Sequence, residues 1–454
     1  MPPLKIPFPC TEPKTEIARA KVLERIPLSE QRYHGEFIQP LVQAALRDIK
    51  SKYCAAGRPW CLPRQVIDEN LKLKRSSEDG IGHDPPKKRH YESLVDSKLN
   101  VHSHEAFGSE SSENSAFSQL GPPVILSTTS VNSFDTPADI QGIVKNPSSD
   151  AAVLAIQTTR HGKRPNEPAE YVIPPKSTFV CCTLPLSQPS ARYPSEVMAL
   201  DHPIPSIPAS QTFNLILFDS PWPNKSVRRS CHYQVVNEME VLTQRLLDIL
   251  RVHSYRRTND NIAWNPDMAA TSSRSFHSQE SLAAIWVTNS EKSRRAAYEA
   301  LMRSGFEIYE EWIWIKITVD GEPVSPLDGL WRKPYEILII GRRNKSTMDS
   351  ASSHNLNPGP ISQETDLLGL DPASIRRRVI AAVPDLHSRK PNLKSLFEQL
   401  FFKTDGPFGP KSVHQPYSAL EVFARNLTAE WWACGNEVLK FNAREYWVDY
   451  CETN

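Results

Sequence analysis

The run from Asn214 to Pro223 joins an apolar stretch of strand length to an acid, Asp219, and then to the turn Ser220-Pro221-Trp222-Pro223. Open α/β sheets place their ligand crevice where the strands end, so Asp219 would stand at its mouth. These residue types suit the activation of a weak nitrogen nucleophile. An exocyclic adenine amine attacks poorly because its lone pair is delocalised into the ring. Two acceptors on its N–H hydrogens favour a pyramidal nitrogen that can attack. Asp219 can supply one acceptor and the backbone carbonyl of Ser220 the other. Pro221 and Pro223 stiffen the turn, so the acceptors are held in place beforehand. Trp222 offers a flat face on which a base could stack, a contact worth ~1–3 kcal/mol. The electrophile would be a sulfonium methyl group approaching in line at about 3–3.5 Å. No strong base is required, since the alkylated amine is itself acidic. An Asp before a proline turn is also an ordinary structural feature, so the rest of the chain must decide.

Such a site needs a sheet to hold it. Apolar runs of strand length fall at 179–184, 213–218, 284–287, 312–317, 337–340 and 419–423. Several are almost continuously apolar, as strands covered on both faces are. Helical spacing at 239–250, 293–302 and 393–401 separates them. The alternation predicts a doubly wound α/β domain over residues 123–454. Polar stretches near 254–278 and 343–371 are too long for ordinary loops and read as insertions. Upstream, residues 16–53 predict helix, a turn around Pro27, Gly35 and Pro40, and helix again, within an N-terminal helical element of residues 1–71. Residues 72–122 have too few aliphatic side chains to offset chain entropy and read as a disordered linker. Lys74-Arg75 and Lys87-Lys88-Arg89 within it are spaced like a bipartite import signal, so a nuclear location is expected, with some protein in the cytoplasm.

Composition bounds the alternatives. Of 454 residues, 39 are proline and 39% are hydrophobic, which fits a chain whose core occupies only part of its length. With 53 Lys+Arg against 52 Asp+Glu there is no global field to draw in nucleic acid, so any basic surface must be local. No apolar run approaches the ~18 residues of a membrane span, and no signal-peptide core opens the chain. Eight cysteines without a C-x-x-C pair argue against a zinc ribbon or a disulfide framework, and no metal is expected. Adjacent Cys181 and Cys182 read as buried thiols.

Asp219-Ser220-Pro221-Trp222 resembles the D-P-P-W signature of the MT-A70 family of N6-adenine methyltransferases. Blocks at 224–230, 286–289, 311–316, 333–336, 387–391, 421–426 and 435–437 resemble its methyltransferase-like protein 4 branch, in one order across about 178–448. The resemblance implies a Rossmann-like, S-adenosylmethionine-dependent methyltransferase sheet in circularly permuted order, with the catalytic strand preceding the cofactor-binding strand. Carried over by position, it implies that Lys390 meets the cofactor carboxylate and that Arg425 and Asn426 bond its ribose. Asn436 and Glu437 would reach the ribose or the adenine. Glu421 reads as support for the local hydrogen-bond network, and Lys333-Pro334-Tyr335-Glu336 as part of a substrate gate.

One position departs from the signature: Ser220 stands where the family has proline. The carbonyl survives that change, but the turn loses rigidity. Phosphates flank a flipped or single-stranded adenosine, so Asn224, Lys225, Ser226, Arg228 and Arg229 are candidate substrate contacts. Arg256-Arg257 and Arg376-Arg377-Arg378 border the insertions and could widen a basic rim. Trp312 and Trp314 alternate along a strand and read as core. The resemblance implies an RNA substrate, 2′-O-methyladenosine of a small nuclear RNA, with DNA adenine as the rival. A catalytically silent nucleic-acid-binding or scaffold paralogue of the same fold is the competing reading.

Overall fold

The structure, a computed structural model, describes residues 7, 12–56, 60–61, 121–157, 168–184, 202–223, 239–256, 280–343, 371–385, 388–403 and 416–446. Both basic clusters, all but the end of the 72–122 linker, and most of the 254–278 and 343–371 stretches lie outside these residues.

The centre is a ten-stranded mixed sheet. Its core strands are β6 (Thr178–Cys181), β7 (Leu215–Phe218), β8 (Leu282–Val287), β12 (Ala419–Val422) and β13 (Trp432–Gly435). They are hydrogen-bonded in the order β6-β13-β12-β7-β8, all parallel. The sheet continues from β8 into β10 (Tyr335–Arg342), β9 (Glu307–Lys316) and β11 (Arg376–Ala382). β10 is antiparallel to both of its neighbours, and β11 runs parallel to β9. At the other edge stand β1 (Val124–Ile125) and β3 (Ile143–Lys145). A separate three-stranded sheet is built from β2 (Asn132–Phe134), β4 (Ala152–Ile156) and β5 (Ala169–Ile173).

Strand periodicity explains the two layers of core. On β7, Ile216 and Phe218 face one side and Leu215 and Leu217 the other. The first side packs on α4 (Met239–His253) and α5 (Glu291–Arg303) through Leu242, Leu246, Ala297 and Leu301. The second packs on α6 (Lys394–Phe401) through Phe397, together with Trp286, Trp312 and Trp314. Every residue of β7 and β8 is buried, as expected for strands covered on both faces.

The N-terminal helices are α1 (Glu16–Leu23), α2 (Leu28–Arg32) and α3 (Gln39–Ala56). Tyr33, Ile38, Val42 and Leu46 join the same buried cluster as the α5 face of the sheet. The expected turn occurs at Pro27, but Gly35 and Pro40 lie inside a continuing helical run. A π-helical turn at Tyr33–Ile38 leads into α3. Pro40 has no N–H to donate back along the helix, and its ring crowds the preceding turn. The wider π register just ahead accommodates that misfit.

The strand runs foreseen from sequence all appear. β11 and the short strands β1–β5 and β13 were not foreseen, and β11 corrects one reading. Arg376, Arg377 and Arg378 do not form a free basic rim: they are β11 itself, paired with Glu310 and Glu311 of β9.

Candidate active site

Four elements converge at the carboxyl edge of the sheet. β7 delivers Asp219, whose backbone N–H donates to the Val422 carbonyl (3.1 Å). Past β12 the chain reverses at Phe423 (φ 58°) and presents Arg425 and Asn426. That reversal lies over β13, where a Cβ on Gly435 (φ 153°) would come within 3.3 Å of the Phe423 and Ala424 backbone. Past β11 the chain turns at Ser388 (φ 65°) and brings in Arg389 and Lys390. β10 contributes Glu336.

The resulting cluster is a buried lattice of charge. Lys390 Nζ stands 3.1 Å from Asp219 Oδ1 and 2.9 Å from Glu336 Oε2. Lys316 also bonds Glu336. Arg425 Nη1 lies 3.4 Å from Asp219 Oδ2, and its Nε donates to Glu437 Oε2 (3.2 Å). Lys440 holds the other oxygen of Glu437 at 2.7 Å. Arg389 donates to Asp385 (3.0 Å) and to Asn426 Oδ1 (3.3 Å).

Burial pushes the Lys390 ammonium toward neutrality, but the carboxylates of Asp219 and Glu336 outweigh it and raise its pKa well above the ordinary lysine value. Glu336 is the mirror case. Burial favours its neutral form, yet Lys390 and Lys316 carry its carboxyl well below the usual range. Both groups are charged at neutral pH.

Glu421 behaves differently. Burial and the nearby charge of Asp219 push its carboxyl up to about 8, against the opposing pull of Lys390 and Arg425. It is therefore a neutral acid at pH 7. The unfolded chain releases this proton near ~4.3, so stability falls as pH rises from there to about 8 and levels off above it. Glu421→Gln should remove that slope, and its melting temperature relative to wild type should gain on the order of a few degrees between pH 5 and 8. Parallel melting curves across that range would show that Glu421 ionises normally.

A cleft of about 250 Å³ opens on this cluster, lined by Asp219, Trp286, Trp314, Lys390, Glu421, Arg425 and Asn426 among others. Residues 213–437, which span β7, the cleft residues just named and the end of β13, match the family model MT-A70. The chain belongs to the MT-A70 family.

The chain is also similar to individual methyltransferases. The chain is 34% identical over 246 residues to the N6-methyladenosine RNA methyltransferase MTA1 of Cryphonectria parasitica, covering 52% of this chain and 55% of that protein. It is 30% identical over 308 residues to the human N(6)-adenine-specific methyltransferase METTL4, covering 67% of this chain and 49% of the relative. A DNA N6-methyl methyltransferase of Caenorhabditis elegans is 25% identical over 227 residues, covering 50% and 45%. The chain spans about half the length of the relatives it matches.

Within this MT-A70 chain, Asp219, Lys390, Arg425 and Asn426 all line one cleft. Glu437 stands behind Arg425 as its hydrogen-bond partner rather than on the cleft wall. Asn436 immediately precedes Glu437, just past the end of β13, and is half-buried. Trp222 has no open face for a base. It is 5% exposed, packs in the core, and donates its Nε1–H to the Trp286 carbonyl (2.6 Å). The Ser220 carbonyl accepts from Trp222 N (2.9 Å), which leaves one lone pair, and the buried Ser220 Oγ has no partner among the described residues. Ser220 and Pro221 are both buried. Asn224, Lys225, Ser226, Arg228 and Arg229 lie outside the described residues. Sequence reasoning did not assign Glu336 to the charge cluster. The block Lys333-Pro334-Tyr335-Glu336 marked its position, but only the β10–β8 pairing shows that it reaches Lys390.

Proposed function

We propose that this protein is an S-adenosylmethionine-dependent N6-adenine methyltransferase acting on nucleic acid. The observation that carries the reading is the placement of Asp219, at the end of a buried strand, between Lys390 and Arg425 in the cleft. The donor set fits an amino-acid cofactor. The Lys390 ammonium has three N–H groups, and its two carboxylate partners leave one for the carboxylate of a ligand. Arg425 and Asn426, on the turn after β12, would take the ribose hydroxyls; the hydrogen bond that Arg425 donates to Glu437, with Asn436 beside Glu437 in sequence, supports that reading. When bound, the cofactor supplies a methyl group activated by a sulfonium.

The chain's own residues do the rest. Asp219 accepts one N–H of the adenine amine, and the free lone pair of the Ser220 carbonyl accepts the other. The strand end fixes both acceptors before the substrate arrives, so little reorganisation is left for the reaction. The sheet order supports a Rossmann-like methyltransferase whose chain is circularly permuted: β7, bearing Asp219, precedes β12 and β13 in sequence yet lies beside β12 in the sheet.

Among substrates we favour RNA, because the relatives with 30% identity or more include proteins named as RNA N6-methyladenosine methyltransferases; 2′-O-methyladenosine of a small nuclear RNA is the target that the resemblance of the sequence blocks implies. DNA adenine is the rival, since a more distant relative bears a DNA name. A nuclear location is part of this proposal. Titration calorimetry with S-adenosylmethionine and methyl transfer to matched RNA and DNA oligonucleotides test it. We expect micromolar cofactor binding that Lys390→Ala weakens about 100-fold, together with preferential methylation of RNA. Absence of cofactor binding would instead leave a silent nucleic-acid-binding paralogue.

A further inference from the structure

Residues 317–334 join β9 to β10. β10 runs antiparallel to β8, with Ile337 opposite Val287, so this loop overhangs the edge at which β7 and β8 end. Glu336, just beyond it, reaches Lys390 and through it Asp219. Trp331 lies five residues before Glu336, at most about 18 Å of extended chain. It is 55% exposed. Tryptophan is highly buried on average, so a largely exposed one at a ligand-facing edge is informative.

The loop beneath it is tied down. Both oxygens of Glu12 accept backbone N–H groups, from Leu330 (2.9 Å) and from Trp331 itself (3.3 Å). Arg19 holds Asp328 at 3.2 Å, and Lys333 Nζ donates to the Gly329 carbonyl (3.2 Å). A Cβ on Gly329 would come within 2.6 Å of the Arg332 carbonyl, so the turn is closely folded on itself. Trp60 packs against Gly321 and stacks on Tyr53 (4.6 Å, 12°), bracing the far end of the loop against α3. The acids of this turn are therefore engaged by backbone or by Arg19. Arg332, next to Trp331, is exposed and forms no ion pair among the described residues.

A rigid, exposed indole beside an uncommitted guanidinium suits single-stranded nucleic acid, in which each base has a flat face and each linkage a negative charge. We propose that Trp331 is a stacking platform for a base a few nucleotides from the target adenosine, with Arg332 meeting the adjoining phosphate. The inference rests on the proposed activity for its orientation, but it can be tested by binding alone. The N-terminal helices and the chain flanking them then have a role: Glu12, Arg19 and Trp60 hold the platform in position.

The test uses the full chain as wild type, Trp331→Ala and Trp331→Phe, with a fluorescent twelve-nucleotide RNA and a trinucleotide, both centred on adenosine. Fluorescence anisotropy should show affinity for the longer RNA falling on the order of ten-fold in Trp331→Ala and within about two-fold of wild type in Trp331→Phe. Where methylation is measurable, KM for the longer RNA should rise in parallel, while kcat and turnover of the trinucleotide stay unchanged. Equal affinity of wild type and Trp331→Ala for the longer RNA would overturn the proposal, as would absence of RNA binding by the wild type. A change in sedimentation of Trp331→Ala with RNA affinity intact would also overturn it, by assigning the indole to a protein contact. RNA bound through Trp331 but not methylated would uphold the platform and remove the activity.

Discussion

Replacing Asp219 with alanine should lower methyl transfer to an adenine acceptor by at least ~100-fold while shifting the melting temperature by only a few degrees. The two halves of this expectation have separate physical causes. Asp219 meets two cations, and an isolated acid in that position would be hard to remove without leaving buried charge behind. Here each cation has a second anion: Lys390 keeps Glu336 at 2.9 Å, and Arg425 keeps Glu437 at 3.2 Å. The fold therefore retains paired charges after the substitution. The catalytic effect has no such reserve. An acceptor aimed at the reacting amine acts where charge develops, and removing a single preorganised group of that kind typically costs ~10²–10³ in rate. Asp219→Asn keeps an acceptor oxygen and loses the charge, so it should fall between alanine and wild type. Single-turnover methylation with saturating cofactor, run beside thermal melts of the same preparations, measures both halves. Full activity in Asp219→Ala would remove Asp219 from the chemistry. A collapse of the melting temperature would mean that its two ion pairs hold the edge of the sheet together.

How much of this was legible in advance depends on how local the signal is. β7 and β8 are buried on both faces, so their apolar runs stand out in any window, and Asp219 is conspicuous as the first charge after one of them. β11 reads instead as a charge cluster, because Arg376-Arg377-Arg378 makes up three of its seven residues. Its neutralising partners, Glu310 and Glu311, stand 66 to 68 residues away on β9 and become adjacent only through parallel pairing. No periodicity can report a partner at that distance. Trp222 erred in the opposite direction. Its indole suggested a base platform, whereas its hydrogen bond to the Trp286 carbonyl, 64 residues on, places it in the core. Among the described residues the exposed indole is Trp331, two residues ahead of the block 333–336 that the sequence marked as a gate. The raised pKa of Glu421 was equally invisible, since it arises from burial and from the charge of Asp219 on the neighbouring strand.

Arg377→Met should be among the most destabilising single changes outside the cleft, at about 3–5 kcal/mol. Glu311 is fully buried and accepts from Tyr33 Oη (2.9 Å), from Tyr298 Oη and from Arg377 Nε (2.6 Å). Burial, followed by the charge of Glu311, raises the pKa of both phenols, so they remain protonated donors and carry no charge of their own. Arg377 is the cation that bonds Glu311 directly, and only 7% of its side chain is exposed. Methionine fills much of its volume between the Tyr33 and Phe37 rings, which lie 5.7 and 5.3 Å from the guanidinium carbon. The loss is thus mainly electrostatic: a buried carboxylate keeps two neutral donors and loses its bonded counter-charge. For a protein of this size the melting temperature should fall by about 5 °C. The double variant Glu311→Gln, Arg377→Met separates charge from packing. Removing both members of a buried pair is far milder than removing one, so the double variant should recover a large part of the loss. If the double variant is no better than Arg377→Met, packing rather than charge holds this junction. If Arg377→Met melts within 1–2 °C of wild type, the ion pair contributes nothing. The position matters for function because Tyr33 belongs to the N-terminal helices, Glu311 to β9 and Arg377 to β11. β11 leads directly into the segment that carries Lys390 to Asp219. Loosening this junction should therefore weaken cofactor binding at temperatures well below the melting transition, which titration calorimetry on Arg377→Met would detect.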